Sequence, residues 1–174
     1  NMVRPDLTII TSIGSAHREF FPTERDVAVA KSEIFDYQNR QGTAVLNHDS
    51  VHFDFLKNAA KGQDIQHILS FGQDPHSDFR LSDIQSDDRG MFITFTANGT
   101  EYRFHLNFFG SHFALDALGV LALIKSAGAD VEKAVKILET LTPTAGRGAS
   151  LSVPVDGKQI TLIDDAYNAN PSSM

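Results

Sequence analysis

Three short apolar runs rich in β-branched residues, at 7–13, 42–47 and 65–72, are separated by segments long enough to hold a helix. This strand-helix-strand rhythm constrains the chain more than any other feature, because parallel strands need crossover connections of about a dozen residues or more. The first run follows Pro5-Asp6 and ends at Gly14-Ser15-Ala16-His17. Thr23 stands where a helix N-cap belongs, with Glu24 and Asp26 suited to the positive end of the helix dipole. Val27, Ala30 and Ile34 then fall on one apolar stripe, and Lys31, four residues after Val27, shares it. A helix over 49–60 and a strand over 65–72 complete the rhythm, and its sheet is expected to be parallel with right-handed crossovers.

From 79 to 109 the period changes to two. Residues 91–97 and 100–108 flank Asn98-Gly99, the strongest short hairpin signal, and Tyr102, Phe104, Leu106 and Phe108 alternate with polar residues. An antiparallel arm added to a mostly parallel sheet is expected. Gly110-Ser111-His112 opens an Ala/Leu-rich helix to about residue 127, with Gly128 as its stop. Asp130 can cap a second helix, with Val131, Ala134, Val135, Leu138 and Leu141 as its apolar stripe. The fold class is therefore α/β, and the 174 residues read as one domain.

Composition excludes several functions. There is no cysteine, so disulfides, thiolate catalysis and cysteine-based zinc sites are ruled out. The formal net charge of -7 argues against a general nucleic-acid binder. No apolar run approaches the ~20 residues that span a bilayer, and with no signal peptide in view the cytoplasm is expected. Asn1-Met2-Val3-Arg4-Pro5 does not resemble a translation start, so the chain reads as a piece of a longer protein.

The chemistry concentrates at strand ends and glycine-led turns. Ile160-Thr161-Leu162-Ile163 runs into Asp164-Asp165, then Tyr167, Asn168 and Asn170. In open α/β sheets, ligands bind beyond the carboxyl ends of strands. If this strand joins the sheet, Asp164, Asp165 and His17 emerge at one edge. The same residues also suit a plain Asx turn. Lys31 either snorkels to solvent or, carbamylated by CO2, becomes an anion able to ligate a metal. His48 and His52 stand four apart but lack a third ligand, and read as surface residues. Gly146-Arg147-Gly148 allows backbone to approach a ligand beside a guanidinium suited to phosphate.

Several of these patches, in order, resemble the Mur ligase family. Asp164 to Met174 is similar to the signature that closes the central domain of its D-alanyl-D-alanine-adding branch. Thr11-Ser12-Ile13-Gly14-Ser15-Ala16-His17 resembles a Thr-Asn-Ile-Gly-x-x-His pattern, with Ser12 in the asparagine's place. Lys31-Ser32-Glu33-Ile34-Phe35 resembles the segment that carries a carbamylated lysine. Gly110 to Leu118 resembles Gly-x-His-Asn-x-x-Asn-Ala-Leu, with Phe113 and Asp116 where asparagines are usual.

The resemblance implies an ATP-dependent amide-bond ligase of peptidoglycan precursor synthesis, acting as a monomer. It would add D-alanyl-D-alanine to UDP-N-acetylmuramoyl-tripeptide through an acyl phosphate. His17 and carbamylated Lys31 would hold Mg2+ and serve catalysis. His112, Asp116, Arg147, Asp165, Asn168 and Asn170 would contact the nucleotide, with Asp165 on the ribose hydroxyls. The family's P-loop, Gly-x-x-x-x-Gly-Lys-Ser/Thr, has no match in the sequence. The P-loop and the uridine-nucleotide domain are expected before Asn1 and a closing domain after Met174, leaving this piece inactive alone. Two alternatives stand beside this. One is a related ligase of the folylpolyglutamate synthase or cyanophycin synthetase type; the other is a non-catalytic nucleotide-binding module.

Overall fold

Strand β2, Thr43–Asn47, is buried along nearly its whole length because successive side chains enter different cores. Ala44 and Leu46 pack with Ile10, Phe35, Phe53, Leu56, Ala60 and Ile65 on one face of the sheet. Val45 points to the other face, in a larger core with Phe71, Phe95, Leu118 and Leu121. A strand covered on both sides is the hallmark of a parallel sheet flanked by helices. The computed structural model describes residues 3–14 and 20–167.

Six strands form the main sheet in sequence order. β1 (Leu7–Ile10), β2, β3 (His67–Gly72) and β4 (Phe79–Ser86) run parallel, the β3–β4 ladder being only two residue pairs long. β5 (Met91–Ala97) and β6 (Thr100–Leu106) continue it antiparallel. Asn98 and Gly99 turn between them with φ of 50° and 77°, as the dipeptide predicts.

α1 (Glu24–Ser32) and α2 (Phe53–Gly62) connect the first three strands. α3 (Ser111–Ser126) and α4 (Val131–Leu138) follow the antiparallel arm, and α3 lies against β1 to β4. Thr23 caps α1 in a reciprocal box: its hydroxyl accepts from Asp26 N at 3.2 Å, and Asp26 accepts from Thr23 N at 2.9 Å. That bonding with Thr23 holds the Asp26 carboxyl below its ordinary range. Asp130 caps α4 through Glu132 N and Lys133 N.

Four expectations need correction. Lys31 is exposed, as is Ile34, while Val27, Ala28 and Phe35 are buried. The helix tightens to a 3-10 turn at Glu33–Phe35, which shifts the phase and turns Phe35 inward in Ile34's place. α2 starts at Phe53, so His48 and His52 share no helical face. Neither is a surface residue: their side chains are only 18% and 15% exposed, and His48 stacks on Phe53 at 3.9 Å. Leu141 lies beyond α4 and is exposed.

The fourth concerns the last strand. β8 (Lys158–Asp164) does not join the main sheet but pairs antiparallel with β7 (Ala149–Val155) as a separate hairpin. Asp156 and Gly157, with φ of 49° and 75°, make its turn. Asp164 and Asp165 therefore leave this hairpin, not the edge reached by β1.

Candidate nucleotide and metal site

Residues that the sequence analysis singled out gather in two clusters. The first lies where the β7–β8 hairpin meets the loop before it. Gly148 N donates to Asp164 O at 2.8 Å and Tyr167 N to Gly146 O at 3.0 Å. One Asp164 carboxylate oxygen accepts from Gly146 N at 2.9 Å and the other from Ala166 N at 3.4 Å. Asp164 is thus occupied in fastening the glycine loop, while Asp165 is exposed.

The Arg147 guanidinium lies 4.2 Å from the centre of the Tyr167 ring, a cation–π stack that leaves Tyr167 69% exposed. Gly146 and Gly148 have φ of 76° and 80° and sit tightly. A Cβ on Gly146 would come 3.1 Å from Tyr167 Cβ, and one on Gly148 3.3 Å from the Phe113 ring. Larger residues at either position would strain the turn and push these contacts apart.

Phe113 ties this loop to the start of α3. Its ring lies 4.9 Å from Phe108 and 4.2 Å from His112. His112 is exposed and folds back over Gly110. Asp116 follows one turn later and is exposed, so the local crowding that pushes its carboxyl up, against a weaker downward pull from His112, acts on a group still in contact with solvent. Phe113, in the place of a family asparagine, is a packing residue here.

Because the folded-state value of Asp116 is raised, its ionised form opposes folding. The stability it allows is complete below the unfolded carboxyl range and is lost as pH rises through the folded value. Asp116→Asn is therefore expected to be more stable than the parent at pH 7. The difference should vanish at about pH 3, below the ordinary aspartate range, as urea midpoints at the two pH values will show.

The second cluster lies beyond the carboxyl ends of β1, β2 and β3. Lys31 Nζ donates to Ser12 O at 2.8 Å. Asn47 Nδ2 donates to Thr11 O at 2.8 Å, and the Asp49 carboxylate accepts from Gln73 N and Asp74 N at 2.8 to 2.9 Å. Ser12, Glu24, Asn47, Asp49 and Ser50 are among the residues that line a shallow cavity of about 330 Å³ here. Among the described residues, no group of three His, Asp or Glu side chains stands ready to hold a metal ion. The oxygen-rich lining is of the class that magnesium prefers over softer metals.

His17, Asn168 and Asn170 lie outside the described residues. Lys31 belongs to the second cluster; His112, Asp116, Arg147 and Asp165 belong around the first. Sequence reasoning missed Tyr167 as the partner of Arg147, and missed Asn47 and Asp49. The Asp156-Gly157 turn signal could have revealed the hairpin that brings Tyr167 back to Arg147.

The family model described as the Mur ligase middle domain matches residues 1–124. A UDP-N-acetylmuramoyl-tripeptide–D-alanyl-D-alanine ligase of Rickettsia prowazekii is 28% identical over 173 residues, covering 99% of this chain and 38% of its own length. A UDP-N-acetylmuramate–L-alanine ligase of Desulfitobacterium hafniense is 32% identical over 171 residues, covering 98% and 36%. Among solved structures, MurF from Acinetobacter baumannii superposes with a TM-score of 0.86 at 28% identity, over 98% of this chain and 36% of that one. The chain spans little more than a third of the length of these relatives.

Proposed function

Because the chain belongs to the Mur ligase middle-domain family, we propose that it is the ATP-binding domain of a ligase that joins D-alanyl-D-alanine to UDP-N-acetylmuramoyl-tripeptide. The γ-phosphate of ATP passes to the substrate carboxylate, the dipeptide amine attacks the acyl phosphate, and amide, ADP and phosphate result. One observation carries the reading furthest. The Gly146-Arg147-Gly148 loop, the Asp164–Tyr167 run and the start of α3 are distant in sequence, yet contacts through Tyr167 and Phe113 join them.

In this reading Arg147 supplies a fixed cation for the nucleotide and Tyr167 holds its guanidinium plane. His112 and Asp116 stand at the glycine-led helix start on the adenine side, and exposed Asp165 accepts from the ribose hydroxyls. Asn168 and Asn170, which follow Tyr167 in the sequence, are assigned to the nucleotide by the same resemblance. His17 and a carbamylated Lys31 would hold magnesium, which supplies charge neutralisation at the phosphates. An ammonium is no ligand, so Lys31 must first leave Ser12 O and lose a proton; the free amine then adds CO2 and releases a second proton to give the carbamate anion.

The dipeptide as amine rests on the residues from Asp164 to Met174, which resemble that branch. The 32% identity with an L-alanine-adding ligase makes L-alanine the competing amine. With the whole protein, magnesium, ATP and UDP-N-acetylmuramoyl-tripeptide, phosphate release is expected to depend on D-alanyl-D-alanine and to match pentapeptide formed. Release only with UDP-N-acetylmuramate and L-alanine would keep the family and overturn the branch. ATP binding without turnover on any such pair would point to a non-catalytic module. The 174-residue chain alone is expected to release no phosphate.

A further inference from the structure

The connection from β6 to α3 holds both ends of the loop that carries Arg147. At the near end, the Asn107 amide uses both of its donors, on Glu139 O at 2.9 Å and on Leu141 O at 2.9 Å. His105 N adds a bond to Glu139 Oε1 at 3.2 Å. At the far end, Phe113 packs on Gly148, where a Cβ would stand 3.3 Å from the ring, and Phe108 backs Phe113 at 4.9 Å. Between these ends the loop turns through Arg147 N to Thr144 O at 3.0 Å, and Arg147 is exposed. The same connection opens α3, which carries His112 and Asp116.

The plainer reading of Asn107 is a helix cap, since the last carbonyls of a helix lack partners. Its two acceptors argue otherwise. Both lie past Leu138, the last residue of α4, while Ile137 O and Leu138 O are served by Thr140 N and Leu141 N. The amide therefore grips the loop, not the helix. We propose that Asn107 is a positioning residue for the nucleotide cluster, fixing the loop 139–148 against the chain that opens α3. Arg147 on one side and His112 and Asp116 on the other then keep a constant separation. A loop that is ordered beforehand does not draw its ordering cost from the binding of a ligand. The proposal rests on the nucleotide reading given for Arg147, His112 and Asp116.

The test uses the whole protein and compares Asn107→Ala and Asn107→Asp, which keeps the shape and loses both donors, with Arg147→Ala and Asn39→Ala. Asn39 makes an amide bond to Asp6 Oδ1, 2.9 Å long, before the start of β1. ADP binding is followed by isothermal titration calorimetry, and amide exchange over residues 140–148 by mass spectrometry. Both Asn107 variants are expected to bind ADP about tenfold more weakly and to exchange about fivefold faster in the loop, as loss of one or two hydrogen bonds would give. Added to Arg147→Ala, Asn107→Ala should weaken ADP binding no further, because its effect acts through the guanidinium. Asn39→Ala should change neither readout. Unchanged ADP affinity in a folded Asn107 variant, or a loss that simply adds to that of Arg147→Ala, overturns the proposal. If Arg147→Ala binds ADP as the parent does, the nucleotide reading of Arg147 falls. Loop exchange in the Asn107 variants then decides by itself whether Asn107 holds the loop.

Discussion

Lys31→Ala in the whole protein is expected to lower kcat by about a thousandfold, the equivalent of losing several kcal/mol of charge stabilisation at the transferring phosphoryl group. The alanine variant alone leaves two explanations, because Lys31 also donates to Ser12 O at 2.8 Å. Lys31→Arg separates them. Arginine keeps the positive charge and a donor able to reach Ser12 O, but its guanidinium stays protonated and forms no carbamate. If Lys31 acts as a carbamate, both variants lose activity together. If arginine restores most of it, the side chain works as a clasp on residues 11–14 and the carbamate reading falls. Folding is a minor concern, since Lys31 is exposed on the last turn of α1.

The same residue shows what a sequence can and cannot disclose. The position of α1 was legible from Thr23, whose capping box with Asp26 is local. The phase of its inner face was not, because the 3-10 turn at Glu33–Phe35 replaces a period of 3.6 with one of 3. The parallel half of the sheet was legible because apolar runs alternated with helix-length connections. The antiparallel arm was legible because Asn98-Gly99 and the Phe alternation agree. β8 was misplaced for a comparable reason. Ile160-Thr161-Leu162-Ile163 looks like a buried strand, but Ile160, Leu162 and Ile163 are each about half exposed, at 48%, 52% and 49%. Its pairing was decided by Asp156-Gly157, a turn whose signal matches the one recognised at Asn98-Gly99.

Site chemistry followed the same division. Residue types announced Arg147, Lys31 and Asp165 as candidates, since glycine flanks or strand ends set them apart. Their neighbours were not announced. Arg147 meets Tyr167 twenty residues later only because a hairpin returns the chain to it. Asn47 reaches Thr11 only because β1 and β2 are adjacent in parallel register. Long-range partners of this kind depend on topology, which periodicity constrains without fixing every strand.

The second large effect is on stability. Phe95→Ala is expected to cost about 3–5 kcal/mol, as removal of a fully buried ring leaves a cavity, out of a total of about 5–15 kcal/mol for a domain. Phe95 is fully buried, stacked 4.9 Å from Tyr102, edge-on to Phe104 at 6.0 Å and near Phe79 at 6.3 Å. It belongs to the core that also contains Leu118 and Leu121 of α3, so the cavity cannot close without moving the helix that carries His112 and Asp116. A fall in melting temperature of about 10 °C is expected for a chain of this size, and Phe95→Leu should recover part of it by refilling the space. The antiparallel arm itself carries none of the candidate nucleotide residues. Below the melting transition, then, the KM for ATP of the alanine variant should stay near that of the parent. A raised KM in a fully folded Phe95→Ala protein would mean that core packing sets the position of the α3 start, and that the nucleotide site extends its dependence into the arm.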